Sequence, residues 1–338
     1  MRYDLIPVSG KFYKANLHTH STVSDGALSP EKLKELYKKQ GYSILALTDH
    51  EMLVDHSCLN DSDFLTVTSY EYAFIEDREN YPCSRTVEFN LFARNPHNTT
   101  QVCFEPTSAA QPHYKEAWRV PSIKYGGEPF CKEFTVECMQ RVIDEANANG
   151  FLVSLNHPNY SMITPELFGK FNGLFAMEIY NHISLCGGVN DYNPQMYETV
   201  LRQGKNLFCI AADDAHSDLD ADNPYCDKFG GFVMMKLPSL NYDSVIAALE
   251  NGDFYASTGP EIHSLYVEDK KVHLTFSPAK YVTMNGFYRH NSRIVAPIGE
   301  TVTEATFDIC EDDPYMRFTV FDEFGHHADT HAYPTKYE

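Results

Sequence analysis

Five short apolar segments of this chain each run into His, Asp or Glu, and this repeated arrangement is the strongest constraint on the fold. The segments lead into His18–His20, Thr48–His50, Tyr70–Glu71, Asn156–His157 and Asp213–His216. The carboxyl ends of the strands in a (β/α) barrel converge on one face, where such enzymes build their active sites. Five such ends in chain order therefore predict an α/β fold with one site at that face.

The residue types at these strand ends are those that bind transition metals. His18 and His20 are two residues apart, as are Asp214 and His216. Residues at this spacing on a strand point to the same face, so each pair can bind one ion. Imidazole and carboxylate ligands suit Zn, Mn or Fe. The sequence thus predicts a hydrolase built around a metal cluster.

Helix signals alternate with these strands. In residues 29–41, Ser29 is in the N-cap position, Pro30 begins the helix and Gly41 follows its end. Further helices are predicted at about residues 135–149, 195–203 and 241–250. After Pro260 short alternating segments replace helical periodicity, which indicates a small antiparallel β-sandwich. His326, His327 and His331 are expected in a solvated hairpin there.

The order HxH, Asp25, Thr-Asp-His, Glu71, Asn-His-Pro, Asp-x-His resembles the PHP (polymerase and histidinol phosphatase) family. A stretch like Gly252–Pro260 before a β-rich tail is also typical of its free-standing phosphoesterases. The resemblance covers roughly residues 12–260. It implies a distorted (β/α)7-type PHP barrel over residues 1–259, followed by a small all-β sandwich-like domain over residues 260–338.

The resemblance also implies a division of the ligands among two or three divalent transition metal ions (Mn, Zn or Fe). One ion would be held by His18, His20, Glu71 and Asp214. Glu71 would bridge to a second ion, which His157 also binds. A third would be held by Asp25, His50 and His216. Asp49 and Asp213, each beside a ligand, are expected to orient an imidazole.

The chain departs from the family pattern at Glu88. PHP phosphoesterases usually carry another His on the strand after the Glu, in a His-Phe-Asn-like context, and the matching stretch here is Val87-Glu88-Phe89-Asn90. Glu88 either supplies a carboxylate in place of that imidazole or is not a ligand. The sequence therefore leaves open whether two or three ions bind.

The reaction that these features favour is hydrolysis of a small phosphomonoester or cyclic phosphate by a metal-activated hydroxide. A protonated His or Asp would supply the leaving-group proton, with Asp25, His50 and His182 as candidates. Arg78, Arg85 and Lys124 are candidates for contact with the phosphate. The two arginines and the lysine lie in residues 76–134, predicted as an insertion over the barrel mouth that contains the strand Thr86–Ala93.

Composition limits the partners and the compartment. The net charge of −20 argues against a broad nucleic-acid-binding face. No apolar run is long enough to span a bilayer, and the first residues lack the apolar region of a signal peptide. The nine cysteines form no CxxC pair, which is typical of a cytoplasmic protein. The expected partner is a small phosphorylated substrate, and the sequence does not indicate an oligomeric state.

Three other functions remain open. The same cluster could hydrolyse an amide or lactone, although no strand end carries the Lys that often bridges metals in amidohydrolases. An exonuclease is possible in chemical terms, but the net charge disfavours it. A non-catalytic binding module would require a decayed site, and the near-complete ligand set argues against decay.

Overall fold

The structure, a computed structural model, describes residues 2–105 and 124–337. The helices of this described chain are α1 Pro30–Lys39, α2 Val136–Ala148, α3 Pro165–Phe168, α4 His182–Cys186, α5 Pro194–Arg202 and α6 Tyr242–Asn251, with a 3-10 turn at Ser57–Leu59. The strands are β1 Arg2–Asp4, β2 Lys11–Asn16, β3 Tyr42–Leu47, β4 Leu65–Ile75, β5 Thr86–Ala93, β6 Thr100–Gln101, β7 Lys124–Tyr125, β8 Phe151–Leu155, β9 Ala176–Asn181, β10 Phe208–Ala212, β11 Phe232–Leu237, β12 Phe254–Ser257, β13 Ile262–Glu268, β14 Lys271–Ala279, β15 Tyr281–Gly286, β16 Ser292–Val295, β17 Val302–Asp308, β18 Tyr315–Phe321, β19 His327–Asp329 and β20 Tyr333–Pro334.

The four predicted helices are confirmed as α1, α2, α5 and α6. The Ser29 side chain accepts a hydrogen bond from the Lys32 amide and so caps α1. Thr135 caps α2 and Asn241 caps α6 in the same way. Such caps satisfy amides that have no partner within the helix, which is why the cap residues mark the helix starts.

The fold is mixed α/β, with one large sheet that carries the predicted site. Within the described residues its strand order is β10-β9-β8-β5-β4-β3-β2-β11-β12-β19-β18-β15-β16, with β20 beside β18. β2, β3 and β4 are mutually parallel, as are β8, β9 and β10. No ladder of the described chain joins β10 to β2, so the strand ladders do not close this sheet.

One strand of this sheet lies within the range predicted as an insertion. β5 begins and ends at Thr86 and Ala93, as predicted, but it is antiparallel to both β4 and β8 and lies between them. All eight of its residues are buried. Residues 76–134 therefore contribute to the central sheet as well as to the surface. Pro106, Pro112, Trp118 and Pro121 lie outside the described residues.

A separate antiparallel sheet of order β1-β13-β14-β17 covers the C-terminal part of the large sheet. Leu265 and Phe276 from this small sheet and Val282 and Phe318 from the large one belong to a single buried cluster. The two layers thus share one core. The first strand of the chain, β1, pairs with β13 and lies in this layer rather than with residues 5–259.

Two histidines predicted to be solvated are buried in this region. His327 is 5% exposed, because its strand β19 pairs with both β12 and β18. His331 is 6% exposed, and its ring lies 4.9 Å from the Phe208 ring and 4.2 Å from the Tyr333 ring. Burial lowers the pKa of His331 to about 4. Only His326 of the three matches the expectation of an exposed side chain.

None of the helices in residues 2–105 and 124–337 has the length and hydropathy needed to cross a membrane.

Candidate metal centre

Consecutive strands of the large sheet bring the predicted ligands together. His18 and His20 follow β2, His50 follows β3, and Asp214 follows β10. A parallel bridge joins His50 to Glu71, which lies within β4. Beyond the strand ends, the Asp214 amide donates to the His18 carbonyl and the His20 amide donates to the Ala215 carbonyl. These two bonds connect the segments that follow the first and last strands of the arc from β2 to β10.

The first group of ligands surrounds a point between β2 and β10. The Nε2 atoms of His18 and His20 are 3.1 Å apart, and each is 3.1 Å from Asp214 Oδ1. Glu71 Oε1 is 3.4 Å from His18 Nε2, and its Oε2 is 3.3 Å from His20 Nε2. Ligands bound to one zinc ion at about 2.0–2.1 Å in a tetrahedral arrangement are about 3.3 Å apart. The spacing of these four side chains therefore fits one ion.

The second group centres on His157 and includes Glu88. His157 Nε2 is 3.0 Å from Glu88 Oε2, 3.5 Å from Glu71 Oε1 and 3.7 Å from Asp214 Oδ2. Glu88 is 8% exposed and projects from β5, the strand beside β4. The structure therefore places the Glu88 carboxylate where a ligand to a second ion would lie.

The third group consists of His20, Asp25, His50 and His216. Asp25 Oδ1 is 3.4 Å from His216 Nε2 and 3.6 Å from His20 Nδ1, while its Oδ2 is 3.6 Å from His50 Nε2. His20 thus takes part in two groups, one through each ring nitrogen. Sequence reasoning had assigned it to the first group alone.

Unpartnered atoms test whether these residues fit metal ions. His20 Nδ1 and Asp214 Oδ1 are buried and have no hydrogen-bond partner. Burying a polar atom without a partner is costly. A cation bound at each would remove that cost, so the described side chains fit metal ions.

The electrostatics of the cluster favour bound positive charge. Burial lowers the pKa of His18, but Asp214 and Glu71 outweigh it and hold that pKa well above its usual value. Burial also lowers the pKa of His50, but Glu71 and Asp25 outweigh it and raise that pKa to about 10. Burial raises the pKa of Glu71, yet His18 and His50 hold it well below its usual value. The ionised carboxylates of the cluster attract cations, and a divalent ion brings two positive charges to a single point among them.

Glu178, which sequence reasoning missed as a site residue, orients two of the histidines. Its Oε1 accepts from His18 Nδ1 at 2.7 Å, and its Oε2 accepts from the His157 amide at 2.8 Å. Donation from Nδ1 leaves His18 Nε2 as the atom that faces the ligands. The sequence signal that could have identified Glu178 is a carboxylate within the mostly apolar segment that forms β9, and the structure buries this side chain completely.

The predicted orienting residues Asp49 and Asp213 bind loops instead of imidazoles. Asp49 accepts from the amide and hydroxyl of both Ser21 and Ser24, and so holds the loop that carries Asp25. Asp213 accepts from the amides of residues 229–231. The donors around the two carboxylates are backbone amides, hydroxyls and, at Asp213, the Asn16 amide group, rather than ring nitrogens.

The remaining predicted residues lie outside the ligand groups of the described chain. His182 Nδ1 is 2.9 Å from the Tyr180 hydroxyl, and its Nε2 is 3.1 Å from the Cys226 carbonyl. The three basic candidates have other partners: Arg78 pairs with Glu105 at 2.6 Å, Arg85 with Glu76, and Lys124 lies exposed in β7.

Two tyrosines near the ligands were not singled out in the sequence. The Tyr160 ring lies 5.5 Å from the His157 ring in an edge-on arrangement, and its side chain is 50% exposed. Burial, followed by the charges of Glu88 and other site residues, raises the pKa of Tyr81. Aromatic surface therefore borders the metal ligands on the solvent side.

Two solved structures align with most of this chain at low sequence identity. The chain aligns with a two-domain protein from Bacteroides vulgatus that contains a predicted PHP-like metal-dependent phosphoesterase. This match covers 97% of this chain and 98% of that one, with 13% identity and a TM-score of 0.47. It also aligns with an amidohydrolase from Chromobacterium violaceum, solved with sulfate and no metal, over 63% of this chain and 93% of that one, with 16% identity and a TM-score of 0.39.

No protein-family model and no curated protein matches the sequence. The geometry of the residues, rather than these similarities, supports the function proposed below.

Proposed function

We propose that the protein is a metal-dependent phosphoesterase that hydrolyses a small phosphomonoester or cyclic phosphate. One observation carries the proposal: three groups of His and carboxylate side chains overlap, and Glu71 contacts members of all three. Closely spaced metal ions are suited to phosphoryl transfer, because together they can bind the attacking and leaving oxygens.

The proposed ligands are those of the three groups described above, and Glu88 is one of the ligands in the second group. Bound divalent ions (Mn, Zn or Fe) would neutralise the phosphoryl oxygens and lower the pKa of a water molecule. Glu71 is positioned to bridge, since its two oxygens face different imidazoles. This chain carries a Glu at the shared position, and the ion-pair partners of Glu71 within the described chain are imidazoles, which supports a phosphoesterase over an amidohydrolase with a bridging Lys.

The candidates for proton donation can be separated by their surroundings. Burial raises the pKa of Asp25, but His50 and His216 outweigh it and hold that pKa far below its usual value, so Asp25 stays ionised. His182 has a partner at each ring nitrogen. His50 lies among the ligands, and its raised pKa belongs to the metal-free protein, so His50 is the proton-donor candidate only when two ions bind and the third group is empty.

We further propose that the large sheet forms the expected distorted (β/α)7 barrel. The two backbone hydrogen bonds between the segments after β2 and β10 support closure at the carboxyl ends of the strands. A cytoplasmic location is also proposed, supported by nine free thiols. A small phosphorylated substrate remains the proposed partner.

Phosphate release from metal-stripped protein tests the function. A panel of phosphomonoesters and short cyclic phosphates would be assayed with Mn²⁺, Zn²⁺ or Fe²⁺ restored. Asp214→Asn, which removes a ligand, is compared with Asp308→Asn, a matched change at a carboxylate that is 86% exposed. Release that requires metal and disappears only in Asp214→Asn is the expected result.

Three other results would overturn the proposal in different ways. Protein that binds metal but releases no phosphate across the panel would indicate a carbonyl substrate such as an amide or lactone. Protein that binds no stoichiometric metal would indicate a non-catalytic module. Release from oligonucleotide ends alone would indicate an exonuclease.

A further inference from the structure

His290, Cys310 and Asp313 form a fourth group of potential metal ligands, in the C-terminal part of the fold. One ligand atom from each lies within 4.8 Å of the other two. His290 comes from the turn between β15 and β16, whereas Cys310 and Asp313 come from the connection between β17 and β18. Two loops that are separate in the sequence thus bring together a thiol, an imidazole and a carboxylate.

The local backbone fixes the geometry of this group. The Asp313 amide donates to the Cys310 carbonyl at 3.1 Å, which holds the two residues in one turn. Asp313 is 3% exposed; its Oδ2 is 2.9 Å from His290 Nδ1 and its Oδ1 accepts from the Tyr288 amide at 2.9 Å. A Cβ on Gly286 would lie 2.5 Å from Asp313 Oδ2, so only glycine leaves room for the carboxylate.

We propose that His290, Cys310 and Asp313 bind a zinc ion. Thiolate, imidazole and carboxylate are all zinc ligands, and three protein ligands with a water molecule give a common four-coordinate arrangement. Ligands at about 2.0–2.3 Å from zinc lie about 3.3–3.7 Å apart. The ligand atoms here, between 2.9 Å and 4.8 Å apart, bracket that range and require only side-chain adjustment.

Zinc binding at this group would require a thiolate and a neutral imidazole. The Cys310 thiol would release its proton to solvent, and His290 would bind as a neutral imidazole, so that the proton it shares with Asp313 would be carried on Nε2. The bound ion would fasten the β15–β16 turn to the β17–β18 connection. An ion pair between His290 and Asp313 accounts for their 2.9 Å contact but gives no role to the nearby sulfur.

Cobalt substitution tests this site separately from the candidate metal centre. No cysteine of the described chain belongs to the three groups of that centre. A sulfur-to-cobalt charge-transfer band would therefore report a thiolate ligand outside it. We expect one such band in the full-length protein titrated with Co²⁺. It should be lost in Cys310→Ser, weakened in His290→Ala, and retained in Cys58→Ser, the matched change at an exposed thiol.

A second measurement does not depend on the folding of any variant. Alkylation of the wild-type protein, followed by peptide mass spectrometry, should show that Zn²⁺ slows modification of Cys310 but not of exposed Cys58. A missing cobalt band or a band unchanged in Cys310→Ser would overturn the proposal. An alkylation rate of Cys310 that zinc does not change, or changes no more than that of Cys58, would also overturn it. Phosphate release by Cys310→Ser should match wild type, so failure here leaves the proposed function standing.

Discussion

Replacing Arg317 with Met is expected to destabilise the protein by about 3 kcal/mol, because it breaks a buried ion network. Arg317 lies on β18 and is 1% exposed. Its Nε donates to Glu198 Oε1 on α5 at 2.7 Å, and its Nη1 donates to Asp329 Oδ1 on β19 at 3.2 Å. One guanidinium thus joins the helical part of the molecule to the C-terminal strands.

The magnitude follows from what the two carboxylates retain. Removing one partner of a buried ion pair costs about 3–5 kcal/mol, since the other charge stays buried and unpaired. Here Glu198 still accepts from the Tyr315 hydroxyl at 2.8 Å and from Arg202 at 3.1 Å. Asp329 still accepts from the Thr319 hydroxyl at 2.8 Å and lies 2.7 Å from His327 Nδ1. These remaining partners offset part of the loss, which places the expected cost at the lower end of the range.

Urea denaturation, followed by circular dichroism and by a second probe to test for a two-state transition, measures this cost. Arg202→Met is the matched control, because Arg202 bonds the same Glu198 at 3.1 Å but is 42% exposed. It should cost less than about 1 kcal/mol. Adding Asp329→Asn to Arg317→Met should recover part of the lost stability, because it removes a buried carboxylate that has lost its guanidinium partner. Equal costs for Arg317→Met and Arg202→Met would refute this reasoning.

Four further predictions concern the candidate metal centre. Glu178→Gln should weaken metal affinity about 10–100-fold by releasing the imidazole it orients; unchanged competition with a chelator would contradict this. Glu88→Ala should lose one bound ion by elemental analysis, while Glu88→His keeps it; equal metal content in all three proteins would show that Glu88 is not a ligand. The pKa of His50 rises on folding from 6.5 to about 10. Metal-free protein should therefore keep the stability from His50 below pH 6.5 and lose it as the pH rises through 10, which thermal melts would detect and His50→Gln would abolish. Tyr160→Ala should raise KM for aryl phosphates more than for alkyl phosphates, whereas Tyr160→Phe leaves the ratio near wild type; equal effects on both substrates would exclude ring contact.

Local signals in the sequence predicted the helices and the strand ends well. The start of α1 could be predicted because Ser29 and Pro30 act within one turn of the backbone. His18 and His20 could be paired because strand periodicity alone puts them on one face. Both inferences depend on neighbours in the chain, for which sequence patterns are informative.

Contacts between distant segments were harder to predict. β5 was expected in an insertion because the prolines around it suggested a break, whereas its place inside the sheet comes from its ladders with β4 and β8. Asp49 was expected to orient an imidazole, but the serines of a loop 28 and 25 residues earlier provide its donors. Glu178 illustrates the reverse, since its role depends on a histidine 160 residues away.

The pairing of β1 with β13 has a consequence for how the chain folds during synthesis. Arg2–Asp4 are synthesised well before their partners, Tyr266–Glu268, which follow more than 250 residues later in the chain. The small sheet can therefore acquire this edge strand only after residues 266–268 have been made, and forming the contact closes a loop that contains all the ligands of the candidate metal centre. A change in residues 2–4 would therefore act on a layer whose other strands lie more than 250 residues away in the sequence.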